Sequence, residues 1–164
     1  MTKAFSIRPA RADEQDVILH HRRSMFRDMQ EGTVDQLDRM IEVARPWLQK
    51  AIENGTYRHW LALDPSGKVA GGGGVLLSPW PANPLDPCRE RAVILNVYTE
   101  LEFRRKGVAR QIMLTILDWI RSYGLKTVNL HASPEGRALY ESLGFQPTNE
   151  MRHWLGPASE RPAP

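Results

Sequence analysis

Residues 94–120 read ILNVYTELEFRRKGVARQIMLTILDWI, and this stretch decides the fold. Its first five residues are β-branched, aromatic or otherwise apolar apart from one asparagine, which predicts a buried strand. After a basic loop that contains a glycine, apolar residues recur at every fourth position, which predicts a helix packed against a sheet. The repeat consists of Val108, Ile112, Ile116 and Ile120, with a second ridge at Ala109, Met113 and Leu117.

The basic loop between this strand and this helix predicts a binding site for an anion. Backbone N–H groups at the start of a helix have no intrahelical acceptor and lie at the positive end of the helix dipole. Arg104, Arg105 and Lys106 add positive charge. Gly107 and Ala109 are small and would let a phosphate come close to the backbone. We therefore expect the ligand to be a phosphorylated cofactor.

Two motifs in the sequence resemble the GNAT superfamily of acyl-CoA-dependent N-acyltransferases. The first is the family's Arg/Gln-x-x-Gly-x-Gly/Ala signature, which opens a helix after a strand and corresponds here to residues 104–109. A Rossmann fingerprint would need a third glycine and a P-loop would need Gly-Lys-Ser/Thr, so neither fits. The second motif is the tyrosine before Gly-Phe on the family's last helix, which corresponds here to Tyr140 within residues 138–145.

The resemblance implies a fold and a set of cofactor contacts. The fold is mixed α/β (α+β), with a mostly antiparallel mixed sheet that is splayed at its central strand and flanked by helices. In the family, the basic loop wraps the pyrophosphate of coenzyme A, and backbone N–H groups of the central strand hold the pantetheine arm and polarise the thioester carbonyl. The residues that correspond to this acetyl-CoA site are Val97, Tyr98, Thr99, Arg104, Arg105, Lys106, Gly107, Val108, Ala109, Arg110 and Ser133. Ser133 stands where many members have an asparagine.

The implied reaction is direct attack of a primary amine on acetyl-CoA, and it requires two proton transfers. At pH 7 an amine with a pKa near 10.4 is uncharged in only about one molecule in 2,500, equivalent to roughly 4.6 kcal/mol, so a base or a water chain must take its proton. The sequence leaves several acceptors open. We favour Glu100, for which a solvated position at the loop entrance is the alternative. The other candidates are Glu102, Glu150, His131 and His21.

Tyr140 corresponds to the tyrosine that protonates the departing thiolate in the family. Reference pKa values of about 10 for tyrosine and 8.5 for a thiol make this transfer uphill by about 2 kcal/mol, so it should accompany cleavage of the C–S bond. A purely structural role as a core aromatic is the alternative. Cys88 is the only cysteine and lies in a proline-rich loop with no base tied to it, so a covalent nucleophile is not favoured.

Size and composition limit the classes of protein that fit. The 164 residues predict one domain over residues 1–155 and a disordered proline-rich tail at 156–164. The net charge of +3 is mild and no basic stripe is interleaved with aromatic residues, which argues against nucleic acid as a partner. The sequence has no long apolar run, which argues against a membrane span, and no signal-peptide core, which argues against export. The single cysteine suits a reducing compartment, so the cytoplasm is expected. No metal is expected.

Two other functions stay open, as does the acceptor. The chain could be an acyl-CoA-binding or sensor domain of the same fold without turnover, or a nucleic-acid-associated module that uses the basic loop. The acceptor is expected to be a small-molecule or peptide amine, and a homodimer is possible because dimers are common in the family. Acidic residues cluster where the first two helices meet and would suit a cationic acceptor, although exposed helix starts favour acids anyway. They are Asp28, Glu31, Asp35 and Asp38.

The rest of the chain predicts the element order β-α-α-β-β-β-α-β-α-β. Asp13 is expected to cap the first helix, and Pro46 should kink or split the second. The other predicted helix caps are Thr33 with Gln36, Gly124 and Ser133. The glycines at 71–74 predict a bulged strand against which another group packs closely. Residues around 147–149 are expected to form a last strand.

Two further features bear on the site. The proline-rich loop 78–90 is expected to form one wall of the acceptor site, because long loops in small domains are usually functional or disordered. His20 and His21 point about 100° apart on a helix, so they do not favour a shared metal. We expect one of them to be packed beside the cleft and the other to be solvated.

Overall fold

A five-stranded sheet in the order β1-β2-β3-β4-β5 forms the centre of the computed structural model, which describes residues 5–161. The first four strands pair antiparallel, and β5 joins β4 in parallel. The sheet is therefore mixed and mostly antiparallel, as the sequence predicts. The strands span Ser6–Pro9 (β1), Tyr57–Leu63 (β2), Val69–Pro79 (β3), Glu90–Thr99 (β4) and Val128–Leu130 (β5).

Within residues 5–161, four α-helices flank this sheet. They span Gln15–Asp28 (α1), Val34–Glu53 (α2), Val108–Tyr123 (α3) and Pro134–Ser142 (α4). Helices α1 and α2 pack on one face, where Ile18, Leu48 and Tyr57 share a buried cluster. Helix α3 packs on the other face, and its predicted repeat of Val108, Ile112, Ile116 and Ile120 is buried, with no member more than 3% exposed. The periodicity of four thus places α3 as predicted.

The local signals at the helix ends are mostly confirmed. Thr33 and Gln36 form the predicted capping box at the start of α2. Ser133 caps α4 through a hydrogen bond that its Oγ accepts from the N–H of Gly136, at 3.1 Å. Gly124 ends α3 with a φ of +97°, a conformation that suits glycine.

Some predicted features are wrong. Asp13 is not the N-cap of α1, because it lies inside a 3-10 turn, Ala12–Glu14, and Glu14 occupies the cap position. Of the kink or split expected at Pro46, only the split is contradicted, because α2 runs through the proline as one element. Within the described chain no strand forms around 147–149, where Pro147 has no N–H to donate to a ladder. The tail expected at 156–164 stays a prediction: Ala158–Glu160 form a 3-10 turn, and 162–164 lie outside the described residues.

The predicted bulge of the glycine strand is present, because Ala70 of β3 is an extra residue in its pairing with β2. A second bulge lies on β4. Two residues of β4, Asn96 and Val97, face the single Gly73 of β3. Asn96 takes a φ of +57°, which asparagine tolerates better than most residues. The bulge turns β4 away from the regular ladder where the strand approaches the basic loop.

Two glycines of β3, Gly72 and Gly74, allow close packing on the face of the sheet that α1 covers. A β-carbon at Gly72 would lie 2.5 Å from Nε2 of His59 and 3.1 Å from Nδ1 of His21. A β-carbon at Gly74 would overlap the hydroxyl of Tyr57 and would lie 2.7 Å from the carbonyl oxygen of Arg58. The glycines therefore make room for the buried polar side chains beneath α1, as the sequence reading of a closely packed glycine strand expects.

Replacing Gly74 with alanine should lower the free energy of unfolding by about 3 kcal/mol, near the upper end of the usual cost of overpacking. The new methyl group would meet Tyr57 and a backbone carbonyl, neither of which can move away freely. Gly73→Ala is the matched control, because its methyl group would meet the side chain of Ile112 at 3.0 Å. Urea unfolding should give a clearly smaller loss for Gly73→Ala, and equal losses would contradict this account.

Candidate active site

A cleft opens where β4 parts from β5. Strand β5 pairs only with residues 92–94 of β4. In the region that the structure describes, residues 95–99 of β4 have no strand partner on the β5 side, and all five line the cleft. The splayed central strand implied by the sequence is therefore present.

Most of the residues assigned to the site by sequence line this one cleft, with two exceptions. The residues that line it are Val97, Tyr98, Thr99, Arg104, Arg105, Gly107, Val108, Ala109, Arg110, Ser133 and Tyr140. Glu100 and Lys106 are not among its lining residues. The fold thus brings the basic loop, the open edge of β4 and the start of α4 together around a single space.

The backbone of the basic loop fits a phosphate group. Arg105 and Gly107 have φ values of +63° and +80°, and α3 begins immediately afterwards at Val108. Successive turns of this kind point N–H groups into a concave surface, and the first N–H groups of the helix add to them. A β-carbon at Gly107 would meet nothing within 4 Å, so the space in front of the loop is open.

The side chains of the basic loop are used unequally. Arg104 donates hydrogen bonds to the carbonyl oxygen of Thr99, at 3.1 Å, and to the carboxylate of Asp28. Lys106 donates to the carbonyl oxygen of Glu102, at 2.7 Å. Arg105 makes no hydrogen bond or ion pair within residues 5–161, so it is the loop cation that stays free for an anionic ligand.

Tyr140 projects from α4 into the cleft. Its ring is half-buried and lies 6.0 Å from the ring of Phe145, edge to face. Burial raises the pKa of its phenol, so the group is protonated at neutral pH. Its hydroxyl has no hydrogen-bond acceptor in the described part of the chain. A protonated hydroxyl without an internal partner is free to donate to a group in the cleft.

Glu100 lies beside the two adjacent histidines of α1. Its Oε1 atom is 3.1 Å from Nε2 of His20 and 3.3 Å from Nε2 of His21. His20 is exposed and His21 is fully buried, which confirms the expected division between the two. Burial, with a smaller effect of His20, lowers the pKa of His21 to about 4. His21 is therefore neutral at pH 7, and its contact with Glu100 is not a salt bridge.

The other candidate bases occupy different surroundings. Glu102 forms a salt bridge with Lys68, outside the cleft lining. Glu150 and His131 both line the cleft near the end of β5, and Oε1 of Glu150 lies 3.8 Å from Nε2 of His131. Glu150 also pairs with Arg91, at 3.3 Å.

Sequence reasoning missed a buried polar chain under the bulge. Arg22 donates a hydrogen bond to Oδ1 of Asn96, whose Nδ2 donates to the hydroxyl of Tyr57, both at 2.8 Å. The same hydroxyl lies 2.9 Å from Nδ1 of His59. Burial raises the pKa of Tyr57 and lowers that of His59 to about 3, with His21 a smaller cause for the latter. The one signal in the sequence was an asparagine within an apolar strand.

The two buried histidines should make the protein less stable in acid. In the unfolded chain a histidine has a pKa near 6.5, well above the folded values of about 4 for His21 and about 3 for His59. Below pH 6.5 the unfolded state therefore binds more protons, and the free energy of unfolding falls as pH falls toward 4. The slope approaches about 1.4 kcal/mol per pH unit for each histidine.

Urea unfolding at several pH values between about 4.5 and 7 would measure this slope. This window lies roughly between the folded and the unfolded pKa values of the two histidines. His59→Phe keeps a ring in place and should lower the slope by the share of one histidine. An unchanged slope in this variant would contradict the assignment.

The proline-rich loop does not form a wall of the large cleft, contrary to expectation. Between 80 and 89 none of its residues lines that cleft, and several line a smaller pocket instead. The loop is tied down at Asp86, whose carboxylate accepts hydrogen bonds from the N–H groups of Cys88 and Lys126 and from the hydroxyl of Thr127. The neighbouring Asp86 carboxylate raises the pKa of the Cys88 thiol, which disfavours the thiolate that a nucleophile needs.

Two of the four residues of the acidic cluster are paired within the chain, while Glu31 lines the cleft and makes no ion pair within residues 5–161. Asp28 pairs with Arg27 and Arg104, and Asp38 pairs with Arg23. Within residues 5–161, no group of three or more acidic, histidine or cysteine side chains could hold a metal ion. Over the same residues, no helix has the length and apolar character needed to cross a membrane.

Comparisons with known proteins agree with this geometry. The sequence profile described as the Acetyltransferase (GNAT) family matches residues 20–145. No curated protein matches the chain. A GCN5-related N-acetyltransferase from Ralstonia eutropha is 28% identical with a TM-score of 0.86, over 93% of this chain and 99% of that one.

Two further solved structures share the fold at lower identity. A predicted acetyltransferase from Clostridium acetobutylicum, crystallised with acetyl-CoA, is 18% identical with a TM-score of 0.82, over 92% of this chain and 96% of that one. Glucosamine-6-phosphate N-acetyltransferase from Arabidopsis thaliana is 19% identical with a TM-score of 0.62, over 93% and 99% of the two chains.

Proposed function

Because the chain belongs to the acetyltransferase (GNAT) family, we propose that it transfers an acetyl group from acetyl-CoA to a primary amine by direct attack. The chain has the GNAT fold and is an acyltransferase. The observation that carries the proposal is the cleft itself, because the basic loop, the open edge of β4 and Tyr140 all line it.

In the proposal, the basic loop binds the pyrophosphate of acetyl-CoA. The N–H groups around Gly107 and the first turn of α3 donate to the phosphate oxygens, and Arg105 supplies the free charge. Arg104 acts differently, since its pairing with Asp28 and Thr99 fixes the loop beside α1. The open edge of β4, residues 97–99, lies alongside the pantetheine arm, and Ser133 is the nearest counterpart of the family's asparagine. Lys106 is the member of the predicted set with the weakest support.

Acetyl-CoA supplies the acetyl group as a thioester, and the leaving group is a thiolate. N–H groups at the bulge of β4 donate to the carbonyl oxygen and stabilise the negative charge that develops there in the transition state. Tyr140 donates its proton to the sulfur as the C–S bond breaks, a step for which its unpaired hydroxyl suits it. Because burial raises the pKa of the phenol, the proton has to move together with cleavage of the C–S bond. The product is an N-acetylated amine, so no acyl-enzyme forms and Cys88 has no part.

Glu100 keeps the role of proton acceptor in the proposal. The amine's proton reaches it through water, because its carboxylate does not line the cleft. The contact with His20 fixes the carboxylate at the end of β4. Glu150 and His131 line the cleft and are the alternative acceptors.

We further propose that residues 1–155 act as one catalytic domain in the cytoplasm, on a small-molecule or peptide amine. The single cysteine fits a reducing compartment. Calorimetric titration with acetyl-CoA tests the first half of the proposed function, and release of coenzyme A on addition of amines tests the second. One-to-one binding followed by amine-dependent release is expected. Binding without release by any amine would contradict catalysis, and failure to bind would contradict the whole proposal.

A further inference from the structure

Arg22 is a half-buried cation at the bulge of β4, on the wall of the cleft. Its Nη1 atom donates to Oδ1 of Asn96 at 2.8 Å, and its guanidinium carbon lies 5.2 Å from the ring centre of Phe26. Neither partner carries a negative charge. Through residues 5–161 no carboxylate lies within ion-pair distance of Arg22, and its Nε and Nη2 atoms have no acceptor.

This arrangement differs from that of the other arginines around α1. Arg23 pairs with Asp38, and Arg27 and Arg104 pair with Asp28. The side chain of Arg22 is partly buried, and burial of its charge is unfavourable enough to lower the pKa of its guanidinium. A buried cation is normally paired, and a guanidinium is suited to hold a carboxylate with two parallel hydrogen bonds. The missing partner of Arg22 is therefore an anion that enters the cleft.

The position of Arg22 limits where that anion sits relative to the amine. Asn96, to which Arg22 donates, belongs to the bulge whose N–H groups face the thioester in the proposed function. An anion bound to Arg22 thus lies close to the reacting carbonyl. The attacking amine must reach the same place, so the amine and the anionic group are separated by very few bonds. An α-amino acid, with both groups on one carbon, meets this condition.

An apolar strip continues from Arg22 along α1. Met25, Phe26 and Met29 follow at helical spacings of three, four and seven, are partly exposed and line the same cleft. These side chains offer a surface of thioether and aromatic groups beside the cation. They suit an apolar side chain on the acceptor.

We propose that the acceptor is an α-amino acid with an apolar side chain, whose carboxylate binds Arg22 and whose side chain lies on Met25, Phe26 and Met29. The inference rests on the proposed function and names the substrate class of the same site. Arg22 is then a residue that determines specificity, and peptides and simple amines are poor acceptors.

The test compares amino acids with their amides, which have nearly the same shape and lack the charge. Leucine, methionine and phenylalanine are each paired with leucinamide, methioninamide and phenylalaninamide. Binding is measured by calorimetry in the presence of coenzyme A, and acetylation by product mass with acetyl-CoA. The amine of an amide loses its proton more easily, so a preference for the acid must come from recognition of the carboxylate.

We expect the best amino acid to exceed its amide by at least about 30-fold, both in affinity and in kcat/KM, as loss of a partner from a buried charge pair predicts. Arg22→Gln should abolish this preference, and Arg22→Lys should restore part of it. Arg23→Gln is the matched control, because the neighbouring arginine pairs with Asp38 outside the cleft and its loss should leave the preference intact.

Four outcomes would overturn the inference. In the first, the amides bind and react as well as the acids. In the second, the protein acetylates other amines but neither binds nor acetylates any amino acid. In both cases the proposed function would stand. If acetyl-CoA does not bind, the proposed function and the inference fall together. A purely structural role for Arg22 would lower binding of acids and amides equally in Arg22→Gln, which would also contradict it.

Discussion

Replacing Tyr140 with phenylalanine should lower turnover by about tenfold or more and change the affinity for acetyl-CoA by no more than about twofold. The hydroxyl makes no hydrogen bond within the described chain, so its removal leaves the packing against Phe145 unchanged. Only the proton donated to the departing sulfur is lost. Because this proton moves during C–S cleavage, the loss should appear in kcat, with little change in acetyl-CoA binding.

Tyr123→Phe is the matched control for this change. Tyr123 is 46% exposed, lies outside the cleft lining and donates its hydroxyl to Glu90. Its replacement should leave kcat as in the wild type. If Tyr140→Phe turned over at the wild-type rate, Tyr140 would be a structural aromatic residue and the proton would have another source.

Gly107→Asp should raise the dissociation constant of acetyl-CoA by about 100-fold or more, because like charges in contact cost several kcal/mol. The space around the Gly107 β-carbon position is open, so the aspartate fits. In the proposed function its carboxylate would lie against the phosphates that the loop N–H groups bind. The positive φ of +80° adds some backbone strain for any side chain.

Gly107→Asn separates charge from strain. Asparagine has the same shape as aspartate and tolerates a positive φ, so it should weaken acetyl-CoA binding by no more than about tenfold. The comparison is made by calorimetry on both variants, with urea unfolding to confirm equal stability. Equal dissociation constants for the two variants would mean that the phosphates do not lie against this loop.

The sequence predicted those parts of the fold that short-range patterns determine. The apolar repeat of α3, the closing glycine Gly124 and the capping residues Thr33 and Ser133 all depend on neighbours within a few positions. These interactions are local, so residue type and spacing suffice to predict them.

Long-range contacts were not predictable in the same way. Arg22 and Asn96 are 74 positions apart, and nothing in either segment indicates that they would meet under the bulge. The proline-rich loop was assigned to the acceptor site from its length, but the buried Asp86 holds it against the start of β5. The pairing of Asp28 with Arg104 likewise neutralises part of the acidic surface that the sequence alone suggests.

Acetyl transfer to an amine is the central claim, and product mass tests it most directly. The purified protein is incubated with acetyl-CoA and a panel of amino acids, amines, polyamines and peptides, with Tyr140→Phe run in parallel. The account predicts that one class of amine gains an acetyl group in step with release of coenzyme A, and that the variant loses most of this activity. A protein that forms no acetylated amine from any class would contradict the account.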